Sequence, residues 1–496
     1  MKKLIASSLL LFPLLASALH YSDSVPYPFY HEDTSGETQM MPLHRGEESF
    51  QMRIDLIQKA QKTIEAEYYI YYMDMAGKIF NRELIKAAER GVKVRVLLDK
   101  FAAGVDEFLA YELEQHGIEV KFYNTASMLR LDSINFRNHR KLFVVDGEEA
   151  IAGGRNMADD YYNLDAKYNY EDRDVFVKGP LVTVMRDSFN AFWENKISQK
   201  MKRHSRPHPR YTGDSMDDGD GAGRKWDKKV KAVQDFLKET PEELTYRAAI
   251  AKAAEIQLSD NNIYPCPVAT FVTDSPGKKG SMSDKDYNDN NRHVRKAFLD
   301  KILPIDKALT ISSPYFIPNE RNEYIFEDIL KRGIEVNLYS NSLRSTDALF
   351  MSANLYMHLP HYLKQGMKVY FNDRRWSDLD VAAVDTAKTA DWGTHAKTHV
   401  YETKTYTEVM IGSYNLDNRS DYFNTELAIF CKGNDDFTQD VKGNIMALAN
   451  RGLKVESLKH AIDRSGQKVN ITGASSLKQM KMKLLAFPAW LVSNLL

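Results

Sequence analysis

One short pattern occurs twice in the chain and constrains it more than any other feature. The first copy is His139, Lys141 and Asp146 on an apolar run, followed by Gly153, Gly154 and Asn156. The second is His395, Lys397 and Glu402, followed by Gly412, Ser413 and Asn415. Strand side chains alternate faces, so a His and a Lys two apart point the same way. Each copy then supplies a Gly turn and an Asn. One such string is a weak signal; two with matched order and flanks predict two half-sites built to face each other.

The flanks repeat as well. Glu89-Arg90-Gly91-Val92-Lys93-Val94 is echoed by Lys331-Arg332-Gly333-Ile334-Glu335-Val336. In each half, helical spacing alternates with short β-branched runs, the pattern of α/β layers. The expected division is a first half over 47–198, an insertion or linker over 199–262, and a second half over 263–455. Within the insertion, Arg224 to Ala254 reads as helical. Asp217-Asp218-Gly219-Asp220 lacks the acid placement of a calcium loop and reads as solvated turn.

The ends carry separate signals. Residues 1–18 have a basic start, an apolar stretch and Ala16-Ser17-Ala18, which predicts a signal peptide and export to the periplasm or medium. Residues 19–46 read as an extended arm. In the tail, 456–496, Lys478, Lys481 and Lys483 lead into Leu, Phe and Trp. That fits either an interfacial membrane segment or a tail docked on the body. Cys266 and Cys431 are too few for a disulfide framework. Buried packing is the expectation, with pairing left open.

Breaking a phosphodiester needs a nucleophile, a proton for the leaving oxygen, and fixed positive charge around phosphate. His supplies the first two near neutral pH, Lys the charge, and Asn further amide donors. Each imidazole also needs a carboxylate to orient it. Glu426 and Asp172 stand at matching places after the two motifs. The formal net charge of −1 offers no general field for nucleic acid, and none is expected as partner.

These strings resemble the phospholipase D superfamily from about Glu47 to Asn450. Glu67-Tyr68-Tyr69-Ile70, ISSPYFIP (311–318), His395-Ala396-Lys397-Thr398 and GSYNLDNRSDYFNTE (412–426) are similar to bacterial cardiolipin synthases, most of all the C type. The resemblance implies two tandem α/β/α sandwich halves in one pseudo-twofold body with a shared site. It implies catalytic motifs His139, Lys141, Asp146 and His395, Lys397, Glu402, the closing acid of each being mainly structural. Asn156, Asn415, Gly154 and Ser413 would bind or orient the phosphate, with Asp172 and Glu426 behind the histidines. A phosphohistidine on His139 is expected, with no metal or other cofactor, on phospholipid at a membrane surface. The acceptor, alcohol or water, stays open, as does the oligomeric state. A nuclease and a catalytically weak lipid-binding member are the alternatives. Glu402 departs from the usual Asp, and His399 replaces the equivalent of Phe143.

Overall fold

The two halves are built to one plan, visible down to a single helix end. The helix Met75–Glu89 begins at Asp74, whose carboxylate accepts the Gly77 N–H at 3.0 Å. It stops where Gly91 takes φ 93°, and Val92 N–H returns to Ala87 O. In the second half Glu320–Lys331 stops the same way, with Gly333 at φ 76° and Ile334 N–H on Ile329 O. A left-handed residue of this kind favours glycine and satisfies the last helical carbonyls. The computed structural model describes residues 25–105, 107–125, 136–201, 205–207, 220–259, 262–277, 291–373, 384–471 and 474–491. The predicted signal peptide and the Asp217 cluster, apart from Asp220, lie outside them.

In the first sheet, Thr63–Tyr68 pairs in parallel with Lys93–Asp99, and that strand with Glu119–Tyr123. On its other side come Leu142–Val145, Glu149–Gly153 and Asp174–Lys178, all antiparallel. The second sheet repeats this with Ala308–Ser312, Glu335–Asn341 and Lys368–Asn372 in parallel, then Thr398–Glu402, Thr407–Gly412 and Leu427–Lys432 antiparallel. The parallel pairs need crossover helices, which the Gly-stopped segments provide. Leu142 and Val144 face one core while Phe143 and Val145 face another.

The core that takes Leu142 and Val144 belongs to both halves. It also contains Phe271, Val400, Ile411 and Ile429 from the second sheet. Two equivalent helices, Leu181–Glu194 and Asp435–Arg451, contribute Phe189, Trp193, Phe437 and Val441. Each such side chain contributes about 1.5–3 kcal/mol on burial, so the halves form one body.

Several expectations change here. The arm is not free: Tyr30–Asp33 is an edge strand of the second sheet, and Gln39–Leu43 joins the first. The segment after the insertion crosses back, with Tyr264–Pro265 on the first sheet and Val268–Thr273 on the second. The insertion is more than a linker. It forms two helices, Gly221–Phe236 and Pro241–Ser259, packed on the first half and burying Trp226, Ile250 and Ala254. One continuous helix was expected, but proline clashes with a preceding helical turn, so the chain breaks before Pro241. Cys266 and Cys431 are buried and joined in a disulfide, with Cα atoms 5.6 Å apart, which decides the pairing the sequence left open. Closing a loop of 165 residues constrains the unfolded chain and contributes about 2–4 kcal/mol.

The tail is structured as well. Leu453–Val455, His460–Ile462 and Lys468–Asn470 extend the second sheet, and Ser476–Leu491 packs on Leu349–Lys364. Lys478 Nζ donates to Arg344 O and Thr346 O. Leu477, Met480 and Leu484 stay exposed. Among the described residues, no helix is long and apolar enough to cross a membrane.

Candidate active site

The two His/Lys strings enter the body just before equivalent strands, and short inter-half pairings fix them. His139 N–H donates to Thr425 O, and Thr425 N–H to Arg137 O. In the other copy, Asp391–Thr394 pairs in parallel with Tyr168–Glu171, and His395 N–H donates to Glu171 O at 2.7 Å. Each histidine is therefore held by backbone from the opposite half.

The carboxylates cross in the same way. Glu426, from the second half, lies 2.9 and 3.0 Å from His139 Nδ1. Asp172, from the first, lies 2.6 Å from His395 Nδ1. A carboxylate on Nδ1 favours the tautomer whose Nε2 carries the lone pair. Ser413 and Ser420 donate to Glu426, and Leu427 N–H donates to Ser413 Oγ. Arg173 N–H donates to Asp172 at 2.7 Å. Gly154 is required by that carboxylate: a Cβ there would stand 2.1 Å from Asp172 Oδ1.

The two rings differ in what meets Nε2. His139 Nε2 has no hydrogen-bond partner among the described residues, whereas Lys397 Nζ lies against the His395 ring, 2.8 Å from Nδ1 and 3.0 Å from Nε2. Lys141 Nζ donates to His139 O at 2.6 Å. Asn156 accepts Ile70 N–H on Oδ1 and leaves Nδ2 buried without a partner; Asn415 leaves Oδ1 so. A half-turn of the Asn415 amide brings its N–H₂ to the same place.

Burial disfavours charge throughout. It pushes both His139 and His395 down to about 4, with the nearby lysines adding to the shift against the carboxylates. Burial likewise pushes Lys397 down to about 8 and Lys141 well below the usual ammonium range. Burial alone would raise Asp172 and Glu426. The facing imidazoles and lysines prevail, and both stay below the usual carboxylate range. The resting site thus holds neutral imidazoles between anionic carboxylates and the buried Lys397 ammonium, a charge pattern that accepts an anion.

The motif acids lie elsewhere. Asp146 was grouped with the catalytic residues, but it sits at the far end of its strand, about 16 Å along from Lys141 at strand rise. There, at φ 54°, it accepts the N–H groups of Gln61, Lys62 and Thr63. Glu402 likewise ends its strand, paired with Lys442 at 2.5 Å and Lys307 at 3.7 Å. Its extra methylene fits those surface lysines, so the departure from Asp is local to that corner. Asp146→Ala is expected to lower the melting temperature while turnover per folded molecule stays within about threefold. A large fall in kcat without loss of stability would return Asp146 to the site.

His399 is core rather than ligand. Its ring packs on Phe298 with centroids 5.3 Å apart, and Nδ1 meets Tyr401 Oη at 3.1 Å. Phe143 does the same against Phe80 in the first half. Among the described residues no cluster of His, Cys, Asp and Glu could hold a metal. Aromatic side chains line the site as well. Tyr69 stands edge-on to His139 at 4.8 Å, and Tyr161 and Tyr170 flank His395 at 5.2 and 5.1 Å. Sequence reasoning missed Ser420, which lies inside the quoted 412–426 string but whose bond to Glu426 needs the turn around Asp417.

Duplicated α/β halves that meet at crossed His–carboxylate pairs, with a lysine beside each, define a class of two-motif phosphodiester-handling proteins. Within that class the chain belongs to the family described as cardiolipin synthase, PLD-like domain, whose model matches residues 53–193 and 301–449. It is 26% identical over 406 residues to cardiolipin synthase C of Escherichia coli, covering 79% of this chain and 81% of that one. It is 27% identical over 436 residues to an uncharacterised Helicobacter pylori protein, covering 85% and 81%. The fold matches a crystal structure of phosphatidylserine synthase from Haemophilus influenzae, with a TM-score of 0.61, 14% identity, and 92% and 95% of the two chains covered.

Proposed function

We propose that the protein is a phosphatidyltransferase of the cardiolipin synthase kind, with phosphatidylglycerol as donor and a phosphohistidine intermediate. The crossed pairs His139–Glu426 and His395–Asp172 carry this reading. His139 Nε2 attacks phosphorus and forms the P–N bond, while the P–O bond to the leaving glycerol breaks. His395 gives that oxygen its proton. It can do so once the phosphate is bound, because the anion offsets Lys141 and Lys397 and favours the imidazolium. A second lipid's hydroxyl then loses its proton to His395, attacks phosphorus, and the P–N bond breaks. Two phosphatidylglycerols give one cardiolipin and one glycerol. Lys141 and Lys397 offset the charge of the phosphate oxygens, and Asn156 Nδ2 donates a hydrogen bond to them. The Nε2 of His139, left without a partner among the described residues, supports that ring as the nucleophile.

The Cys266–Cys431 disulfide supports an exported protein, since such bonds persist in oxidising compartments. The tail helix, with exposed Leu477, Met480 and Leu484 beside Lys481, supports contact with a membrane surface. The near-zero net charge argues against nucleic acid as substrate. Vesicles of phosphatidylglycerol are expected to yield cardiolipin and glycerol by mass spectrometry, with no cleavage of DNA in a parallel reaction. Phosphatidic acid as the only product would make water the acceptor; no lipid product would overturn the proposal.

The site's charges also set a pH dependence. kcat/KM reports groups of the free enzyme. Below about pH 4 His139 is protonated and cannot attack; above about pH 4 the free enzyme loses the His395 proton that the leaving oxygen needs, and above about pH 8 Lys397 also loses its charge. The expected profile therefore peaks near pH 4, falls on the alkaline side and steepens near pH 8, and Lys397→Arg is expected to move only the steepening upward. A steepening that stays in place in that variant assigns it to another group.

A further inference from the structure

A cavity lies between the halves behind His395, against Tyr170, Asp172 and Ala396. None of the six His, Lys and Asn side chains of the two motifs lines it. Its volume is about 220 Å³, below the roughly 300–1,000 Å³ typical of drug-sized ligands. Its lining is strongly basic: Arg45, Arg155, Arg173 and Arg451 against Glu171 and Asp172. Both carboxylates are already engaged. Tyr339 Oη donates to Glu171 at 2.6 Å, and Asp172 braces His395.

The arginines are not all engaged. Arg155 spends its guanidinium on the carbonyls of Leu43, His44, Tyr161 and Asp172. Arg173 is 2% exposed. Its Nε donates to the neutral His44 ring and its Nη2 to Asn444, but Nη1 is buried with no partner. Arg45 Nη2 is in the same condition. Among the described residues, no carboxylate comes within ion-pair distance of Arg45, Arg173 or Arg451. A buried guanidinium donor left unmade costs free energy, and planar N–H pairs match the oxygens of phosphate. Burial, followed by the Arg155 charge, pushes Arg173 down to about 10. An anion in the cavity would relieve both effects.

We propose that this cavity is a binding site for a small phosphate anion, free phosphate or a phosphomonoester, separate from the catalytic phosphate site. The test is calorimetric titration of the full chain with inorganic phosphate and, separately, with glycerol 3-phosphate. Tight binding only of the second would identify an ester as the occupant; equal binding would identify the phosphate group alone. Lys397→Gln, which removes charge from the catalytic cradle, is expected to keep one binding site. Arg45→Gln combined with Arg451→Gln is expected to weaken that site about ten- to a hundredfold. Arg451 is exposed, so its substitution alone tests the site without threatening the fold, with a smaller loss in the same direction. The proposal falls if the only bound phosphate is lost in Lys397→Gln and unchanged in the arginine variants, or if the wild-type chain binds neither anion at millimolar concentration.

Discussion

Replacing His139 by alanine is expected to lower kcat by about 10⁵- to 10⁶-fold, the loss seen when a nucleophile in a coupled catalytic set is removed. His395→Ala is expected to be comparably poor on phospholipid, for a different reason. The leaving glycerol oxygen needs a proton, and the imidazole that gives it is gone. A diester with a nitrophenolate leaving group needs no such proton. With it, His395→Ala is expected to release one equivalent in a burst and then stall as the phosphorylated protein. His139→Ala is expected to give neither burst nor protein-bound phosphate. Label on the His139→Ala protein and none on His395→Ala would reverse the two roles.

The carboxylates give the second large effect. Glu426→Gln and Asp172→Asn keep shape but remove the charge that fixes each tautomer, a change that costs about 10⁴-fold where an imidazole depends on it. Because the pairs cross, the defects are expected to cross too. Glu426→Gln should lose the burst with the activated diester, as His139→Ala does, although Glu426 belongs to the other half. Asp172→Asn should keep it, as His395→Ala does. Glu426→Gln in a His139→Ala background is expected to add little, since the two act as a unit. Additive losses would mean that Glu426 acts on something other than His139.

Much of this site was legible in the sequence, because its chemistry is local. His139-x-Lys141 and His395-x-Lys397 needed only strand alternation, and the Gly-stopped helices needed only periodicity. The two acids were identifiable as matched positions. Which acid serves which ring was not legible, because the partners lie 287 and 223 residues apart. The same holds for the disulfide, 165 residues apart, and for the arm, whose strands answer to partners in both sheets. Asp146 misled for the opposite reason. It is near Lys141 in sequence, but a strand carries it away at about 3.3 Å per residue.

The N-terminal arm bears on when the chain becomes active as it is made. Tyr30–Asp33 leaves the ribosome early but pairs with Val268–Thr273, so it waits for most of the chain. Gln39–Leu43 waits for Asp174–Lys178. His139 gains its carboxylate only when Glu426 emerges. A nascent chain carrying the whole first half therefore holds a histidine, a lysine and an asparagine, but no carboxylate on the His139 ring. A truncated product ending before 426 would be equally inert. On the proposed mechanism, reactivity towards phosphodiesters arrives late and all at once, on a chain nearly complete.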